Sequence, residues 1–196
     1  MATDVSICST ALVLLGDNPI ASLSEQTKRA SICSNLYPIA KRAILRAHVW
    51  NCAVKRVALA PLAGEPVGSE WSNWFAVPGG LLRVLGVGDL EKDEYTFEGG
   101  RILANVSSIT LRYVDDITEG NFDALLTDLM TARMASDLAY PITKSASVAQ
   151  VKQAEYRDIL RTAKAVDGQE NPPEDFATSQ FIQARSGHGA YGGYGY

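Results

Sequence analysis

The chain has 196 residues, 46% of them hydrophobic and 20% charged, with a net charge of −4 and a pI of about 5.2. That length builds one domain with a sizeable core, or one domain carrying an insertion. The acidic balance excludes a chain-wide basic footprint for nucleic acid, and the longest early apolar run, Ala11 to Leu15, is far too short to span a bilayer.

The charge is uneven. Residues 1–60 carry Lys28, Arg29, Lys41, Arg42, Arg46, Lys55 and Arg56 against Asp4, Asp17 and Glu25, a local balance of +4 that leaves −8 for the rest. Lys41, Arg42, Arg46, Lys55 and Arg56 form a candidate basic contact face. It reads either as a solvated helix surface or as a contact to an acidic neighbour or to phosphate. Cys8, Cys33 and Cys52 are odd in number, form no CxxC and sit among apolar residues, so they read as reduced core residues of a protein made in a cytoplasm. With only His48 and His188 in the chain, no Cys/His zinc-ligand spacing exists and no metal or cofactor is expected. No basic region precedes the first apolar run, so no signal peptide is expected.

In chain order, Asp4 is placed to cap a first helix in which Val5, Cys8, Leu12 and Leu15 fall at helical spacing, with Gly16 to end it. Asp17-Asn18-Pro19 is a turn, and Ser22 with Glu25 has the spacing of a capping box. Ala30, Cys33, Tyr37, Ala40, Ile44 and Ala47 then form one apolar seam of a long helix, with Pro38 expected to kink or split it. The helical period fades after Trp50, and Val54, Val57 and Leu59 suit an extended segment. Pro61 to Ser69 is a loop. Strands are expected at 74–77, 81–87, 95–98, 102–103 and 109–114, with a hairpin corner at Glu98-Gly99-Gly100-Arg101.

Asn121 is placed to cap a further helix with Phe122, Leu126, Met130, Met134 and Leu138 in one row and Leu125 and Leu129 beside it, a methionine row that reads as core filling. Pro141 is expected to stop that helix. Thr143 is expected to cap the next, with core residues Val148, Val151, Ile159, Leu160 and Ala163, and Gly168 with Pro172-Pro173 to end it. Beyond it, five glycines alternate with Tyr191, Tyr194 and Tyr196, a composition that builds no core of its own and reads as a tail or as an arm that orders on a partner. Phe176, Phe181 and Ile182 complete its apolar anchors.

The expected fold is therefore α+β, mainly α: a helical bundle from 4–16, 25–48, 121–140 and 144–167, an inserted β-rich region near 50–114, and an extended C-terminal arm at 171–196 after a domain spanning 1–170. A catalytic constellation is not evident. The chain lacks GxSxG, a Walker loop, HExxH and an EF-hand loop. Gly86-Val87-Gly88 is only a fragment of a dinucleotide fingerprint. His48 reads as a satisfied structural histidine, and the clusters Asp115-Asp116 and Glu91/Asp93/Glu94 as solvated carboxylates.

Three segments carry a resemblance: Leu45-Arg46-Ala47-His48-Val49-Trp50-Asn51, the run from Val77 to Val87, and Glu98 to Leu103 followed by Leu111-Arg112-Tyr113-Val114. With the order of elements over residues 4–168, the chain resembles the tail tubular protein A family, the head-to-tail adaptors of short-tailed phages. Gly79-Gly80 departs from the acidic or polar residues expected after the proline, and the Gly/Tyr tail matches no family feature. The resemblance implies a non-enzymatic, homo-oligomeric structural protein of the virion neck. It implies a twelve-fold connector ring, built in the host cytoplasm, between portal protein and a tail nozzle of tail tubular protein B type. DNA would pass through the channel without sequence-specific binding, and no membrane would be involved. The alternatives are a head-completion protein of a long-tailed phage, a tail-associated peptidoglycan hydrolase using Glu98 or Asp115 as the acid, and a DNA-binding regulator using the basic residues from Lys28 to Arg56.

Overall fold

The computed structural model describes residues 2–64, 66 and 68–170. Among the described residues, four helices and six strands follow in the order the sequence expects, two helices, then the strands, then two helices: α1 (Asp4–Val13), α2 (Lys28–Ala47), β1 (Val54–Leu59), β2 (Asn73–Ala76), β3 (Leu81–Val87), β4 (Tyr95–Glu98), β5 (Arg101–Ala104), β6 (Ile109–Asp115), α3 (Ala124–Thr143) and α4 (Ala146–Glu170). The class is α+β, mainly α. Short 3-10 turns at Asn51–Ala53 and Glu119–Asn121 stand at the two joints between bundle and sheets.

Several helix ends differ from expectation because a neighbouring residue supplies a better cap. Thr3, not Asp4, caps α1: its hydroxyl accepts from Ser6 N at 3.0 Å, and Ser6 Oγ accepts from Thr3 N at 2.8 Å. Ser22 and Glu25 close a turn instead of a helix start, with Glu25 Oε2 accepting from Ala21 N, and α2 begins only at Lys28 after Thr27. Asp123 displaces Asn121 as cap of α3, its carboxylate accepting from Leu126 N at 2.6 Å. Neither internal proline divides its helix. Pro38 sits within α2, and α3 continues two residues past Pro141, to Thr143, before it ends. The chain leaves α3 through Lys144 in the left-handed region, φ 56°. α4 then starts at Ala146, not after a Thr143 cap, and runs through Gly168 to Glu170.

The bundle core collects Ile7, Cys8, Leu12, Cys33, Tyr37, Ile44, Trp50 and the α3 row of Leu126, Leu129, Met130, Met134 and Leu138. The methionines fill the core, as their spacing implies. The α2 seam ends on Leu45 rather than Ala47, which is exposed. α4 contributes less than expected. Ala163 is buried, Ile159 and Leu160 are half-buried, and Val151 is exposed.

The inserted region is two three-stranded antiparallel sheets, ordered β1-β6-β3 and β2-β5-β4. They share a second core of Phe75, Val87, Ile102, Ala104, Ile109, Leu111 and Tyr113. Strand β6 joins the two cores. Leu111 and Tyr113 point between the sheets, whereas Val114 belongs to the bundle core, as strand alternation requires. The β4–β5 corner is as read from sequence, with Gly99 and Gly100 at φ 55° and 72°, the pair of positive angles that a two-residue hairpin demands.

Candidate functional site

The basic face of α2 meets the acidic chain that returns from the sheets. Lys41 Nζ lies 3.0 Å from Glu119 Oε1 and 3.4 Å from Asp116 Oδ1, the latter an ion pair without a hydrogen bond. Arg42 Nε donates to Asp116 Oδ2 at 3.0 Å, Arg46 donates to the Leu82 carbonyl, and Lys55 Nζ lies 2.6 Å from Asp115 Oδ2. Four of the five residues of the expected contact face thus bind the chain itself. Arg56 is exposed and has no ion-pair partner among the described residues. Asp115 and Asp116 are correspondingly not solvated carboxylates.

Tyr37 completes the cluster, its hydroxyl donating to Glu119 Oε1 at 3.1 Å. Burial alone would raise the Glu119 carboxyl. Its own backbone N–H, Lys41 and Tyr37 outweigh that and hold it below the usual range. The same geometry pushes the Tyr37 phenol well up, through burial first and then the Glu119 charge.

A second joint forms at the end of α2. His48 Nε2 lies 2.9 Å from Asp167 Oδ2 on α4, and Asn51 N donates to the other oxygen of that carboxylate at 2.9 Å. Asn51 Nδ2 donates to the Asp167 carbonyl at 2.7 Å, and Trp50 Nε1 donates to the Ile44 carbonyl at 3.0 Å. His48 packs edge-on against Trp50 with ring centroids 4.6 Å apart. His48 is therefore satisfied, as read from sequence. Asp167 was invisible there, because nothing local distinguishes it from any exposed helical aspartate.

Cys8 is pushed far up by its hydrogen bond to Cys33 and by burial, and Cys52 is pushed up to about 11 by burial and the Asp123 charge. The same hydrogen bond lowers Cys33, which is wholly buried in the bundle core. Glu98 is exposed at the hairpin end, and Glu91, Asp93 and Glu94 lie exposed on the loop before β4. Gly86-Val87-Gly88 leaves β3 into a turn, with Gly88 at φ 55° beside Thr110, not into a helix. Among the described residues, no group of three or more His, Cys, Asp or Glu could hold a metal, and no helix is long and apolar enough to cross a membrane.

A groove that sequence reading missed runs between α1, α3 and α4, with a volume of about 650 Å³. Leu14, Leu125, Ala132 and Ile159 contribute its apolar surface, and Asp128 and Asp158 its acidic rim. Its signal in the sequence is faint: a leucine one residue past the last turn of α1. The arm residues Phe176, Phe181, Ile182, Tyr191, Tyr194 and Tyr196 lie outside the described residues. No protein-family model matches the chain, and no curated protein matches it.

Proposed function

We propose that this chain is a non-enzymatic subunit of a head-to-tail adaptor ring of a short-tailed phage, of the tail tubular protein A type. The observation that carries the reading is where the resembling segments fall. The His48-Val49-Trp50-Asn51 segment is the locked corner between α2 and β1, Val77 to Val87 is the turn into β3 with β3 itself, and Glu98 to Val114 is the hairpin and the central strand β6. These are joints that fix a β insertion on a helical bundle. They do not converge on a common cleft.

The surface suits assembly. β1, β3, β2 and β4 are sheet edges, and Phe97 on β4 is 46% exposed. Ile39 on α2, Tyr140 on α3 and Val151 on α4 leave further apolar surface uncovered. Subunits of a closed ring cover such surface with heterologous contacts between neighbours. On this reading, portal and nozzle flank the ring and DNA passes through it without sequence-specific contacts. The internal pairing of the α2 basic face favours this over a DNA-binding regulator, and the pairing of Asp115 with Lys55 counts against its use in a hydrolase.

The test is electron microscopy of the full chain mixed with its portal protein. The expected result is a closed ring coaxial with the portal. A protein that stays monomeric and clears cell-wall suspensions, with clearing lost in Glu98→Gln, would replace this reading with the enzymatic one.

A further inference from the structure

We infer that the groove between α1, α3 and α4 receives residues 176–185 of a second copy of this chain. The inference deepens the ring-subunit reading and rests on it for the closure of copies into a ring.

The groove is built for an apolar segment. Its volume of about 650 Å³ falls within the ~300–1,000 Å³ of ordinary ligand pockets. Leu14 is 52% exposed at its edge, so the apolar lining is open to water. Its unpaired charge is acidic. Lys152 pairs with Glu155 at 2.9 Å and Arg161 with Asp158 at 3.5 Å, while Asp128 lines the groove with no ion-pair partner among the described residues. An occupant with apolar anchors and a positive charge is complementary to it.

The chain's own C-terminal segment has that chemistry. Between residues 176 and 185 the apolar anchors are Phe176, Phe181 and Ile182, and Arg185 is the sole charge. The segment follows directly from α4, one wall of the groove, which ends at Glu170. The 15 residues from 171 to Arg185 reach up to about 50 Å when extended, so the anchors are able to lie well away from their own α4. A return to the same molecule's groove, which runs along residues 152–162 of α4, would need a reversal within 171–175. Pro172-Pro173 opposes this, since proline fixes φ and favours an extended course. Donation to the next copy is heterologous, and such contacts repeat around a ring.

The experiment uses the full chain in two variants, Leu14→Cys and Phe181→Cys, purified separately, mixed and mildly oxidised in the absence of portal. The expected result is a disulfide between the two variants, mapped by mass spectrometry and absent when either variant is mixed with unaltered protein. An intrachain disulfide in the double variant, without the interchain one, would assign the groove to the molecule's own segment and overturn the inference. No cross-link in either arrangement would overturn it as well.

A charge exchange provides the second measurement. Asp128→Lys and Arg185→Glu each weaken self-association at least tenfold in sedimentation, and the two together restore it; a pair as weak as the single variants overturns the proposal. The adaptor reading is judged separately. Cross-linking with no ring on the portal removes that reading and keeps the groove contact, whereas a ring on the portal without cross-linking does the reverse.

Discussion

His48 Nε2 stands 2.9 Å from Asp167 Oδ2, closing a contact across 119 positions of sequence. The carboxylate is 7% exposed and also accepts from the backbone of Asn51, so one side chain fixes both the ring that follows α2 and the first turn toward β1. The whole β insertion leaves the bundle at this point. The exit direction of β1 is thus set by α4, the last element of the described chain.

Asp167→Ala removes the carboxylate that binds His48 and accepts from Asn51 N at a part-buried corner. Losing hydrogen bonds to a charged group of this kind costs about 1–3 kcal/mol. For a chain of this length that lowers Tm by roughly 2–4 °C per kcal/mol. Thermal unfolding followed by circular dichroism measures it. Asp167→Asn, which keeps an acceptor oxygen, is expected to recover part of the loss; an Asp167→Ala protein with unchanged Tm would show that the corner contributes nothing.

Glu119 makes stability fall on the acid side. Its folded carboxyl lies below the ordinary 4.5, so its contribution is fully present above that value and is lost as pH falls through the folded one. Urea midpoints taken from neutral pH to about pH 2 are expected to drop less steeply in Glu119→Gln than in the unaltered protein. Parallel curves for the two proteins would assign the acid sensitivity elsewhere. Lys41→Met is expected to lower the midpoint at neutral pH, since Glu119 loses its counter-charge and Asp116 keeps Arg42 alone.

Gly80 is required by close approach. A methyl group there would overlap the Asp115 carboxylate, which Lys55 holds, and the Gly80 carbonyl accepts from Asp116 N at 2.7 Å. Gly80→Ala is expected to destabilise by about 1–3 kcal/mol, the usual cost of overpacking. Because the obstacle is one side chain, Asp115→Ala in the same protein is expected to relieve most of the clash, a non-additivity readable in a double-mutant cycle. Additive losses would place the strain in the backbone instead.

Local patterns made the elements legible and left their connections hidden. The α2 seam from Ala30 to Ile44, the α3 row from Leu126 to Leu138 and the Gly99-Gly100 corner each depend on residues close in sequence, and the structure has them as read, whereas Ala47 is exposed and Phe122 lies before α3. Helix ends were less legible because Thr3 and Asp123 compete with equally good caps one or two residues away. The basic face was misleading for a different reason. Sequence shows that Lys41, Arg42, Arg46 and Lys55 are charged, but Asp115, Asp116 and Glu119, which pair with Lys41, Arg42 and Lys55, arrive from 60 or more residues later through the fold of β6, and the Leu82 carbonyl that takes Arg46 arrives 36 residues later. The groove needs three helices at once, so no single segment announces it.

Leu126 tests the bundle core directly. It is fully buried at the centre of the α3 row. Leu126→Ala is expected to cost about 2–5 kcal/mol, while Leu126→Asp adds an unpaired buried carboxylate worth several kcal/mol more. Against a total stability of about 5–15 kcal/mol, the aspartate variant is expected not to fold. Soluble Leu126→Asp protein with a cooperative transition would mean that the row faces a partner and not the core.

The last prediction concerns removal of residues 174–196. Among the described residues, the last ones of α4 to be buried are Ala163 and Asp167. Pro172-Pro173 and the Gly/Tyr composition that follows build no core of their own, so deleting the segment is expected to leave helicity and the thermal stability of the monomer unchanged. Its contribution belongs to assembly. Ordering backbone costs about 1–2 kcal/mol per residue, and a stretch with five glycines and three tyrosines in its last ten residues offers itself no core to offset that. Burial of Phe176, Phe181 and Ile182 against another chain supplies the compensation, with tyrosine rings adding area and hydroxyls that remain hydrogen-bonded. Circular dichroism, thermal melts and portal binding of the truncated and full chains measure the two halves of the claim. The expected outcome is identical melts with portal-bound rings lost. Truncated protein that assembles on the portal with undiminished affinity would show that the segment plays no part in the ring, and a lowered melt would show that it packs on its own bundle.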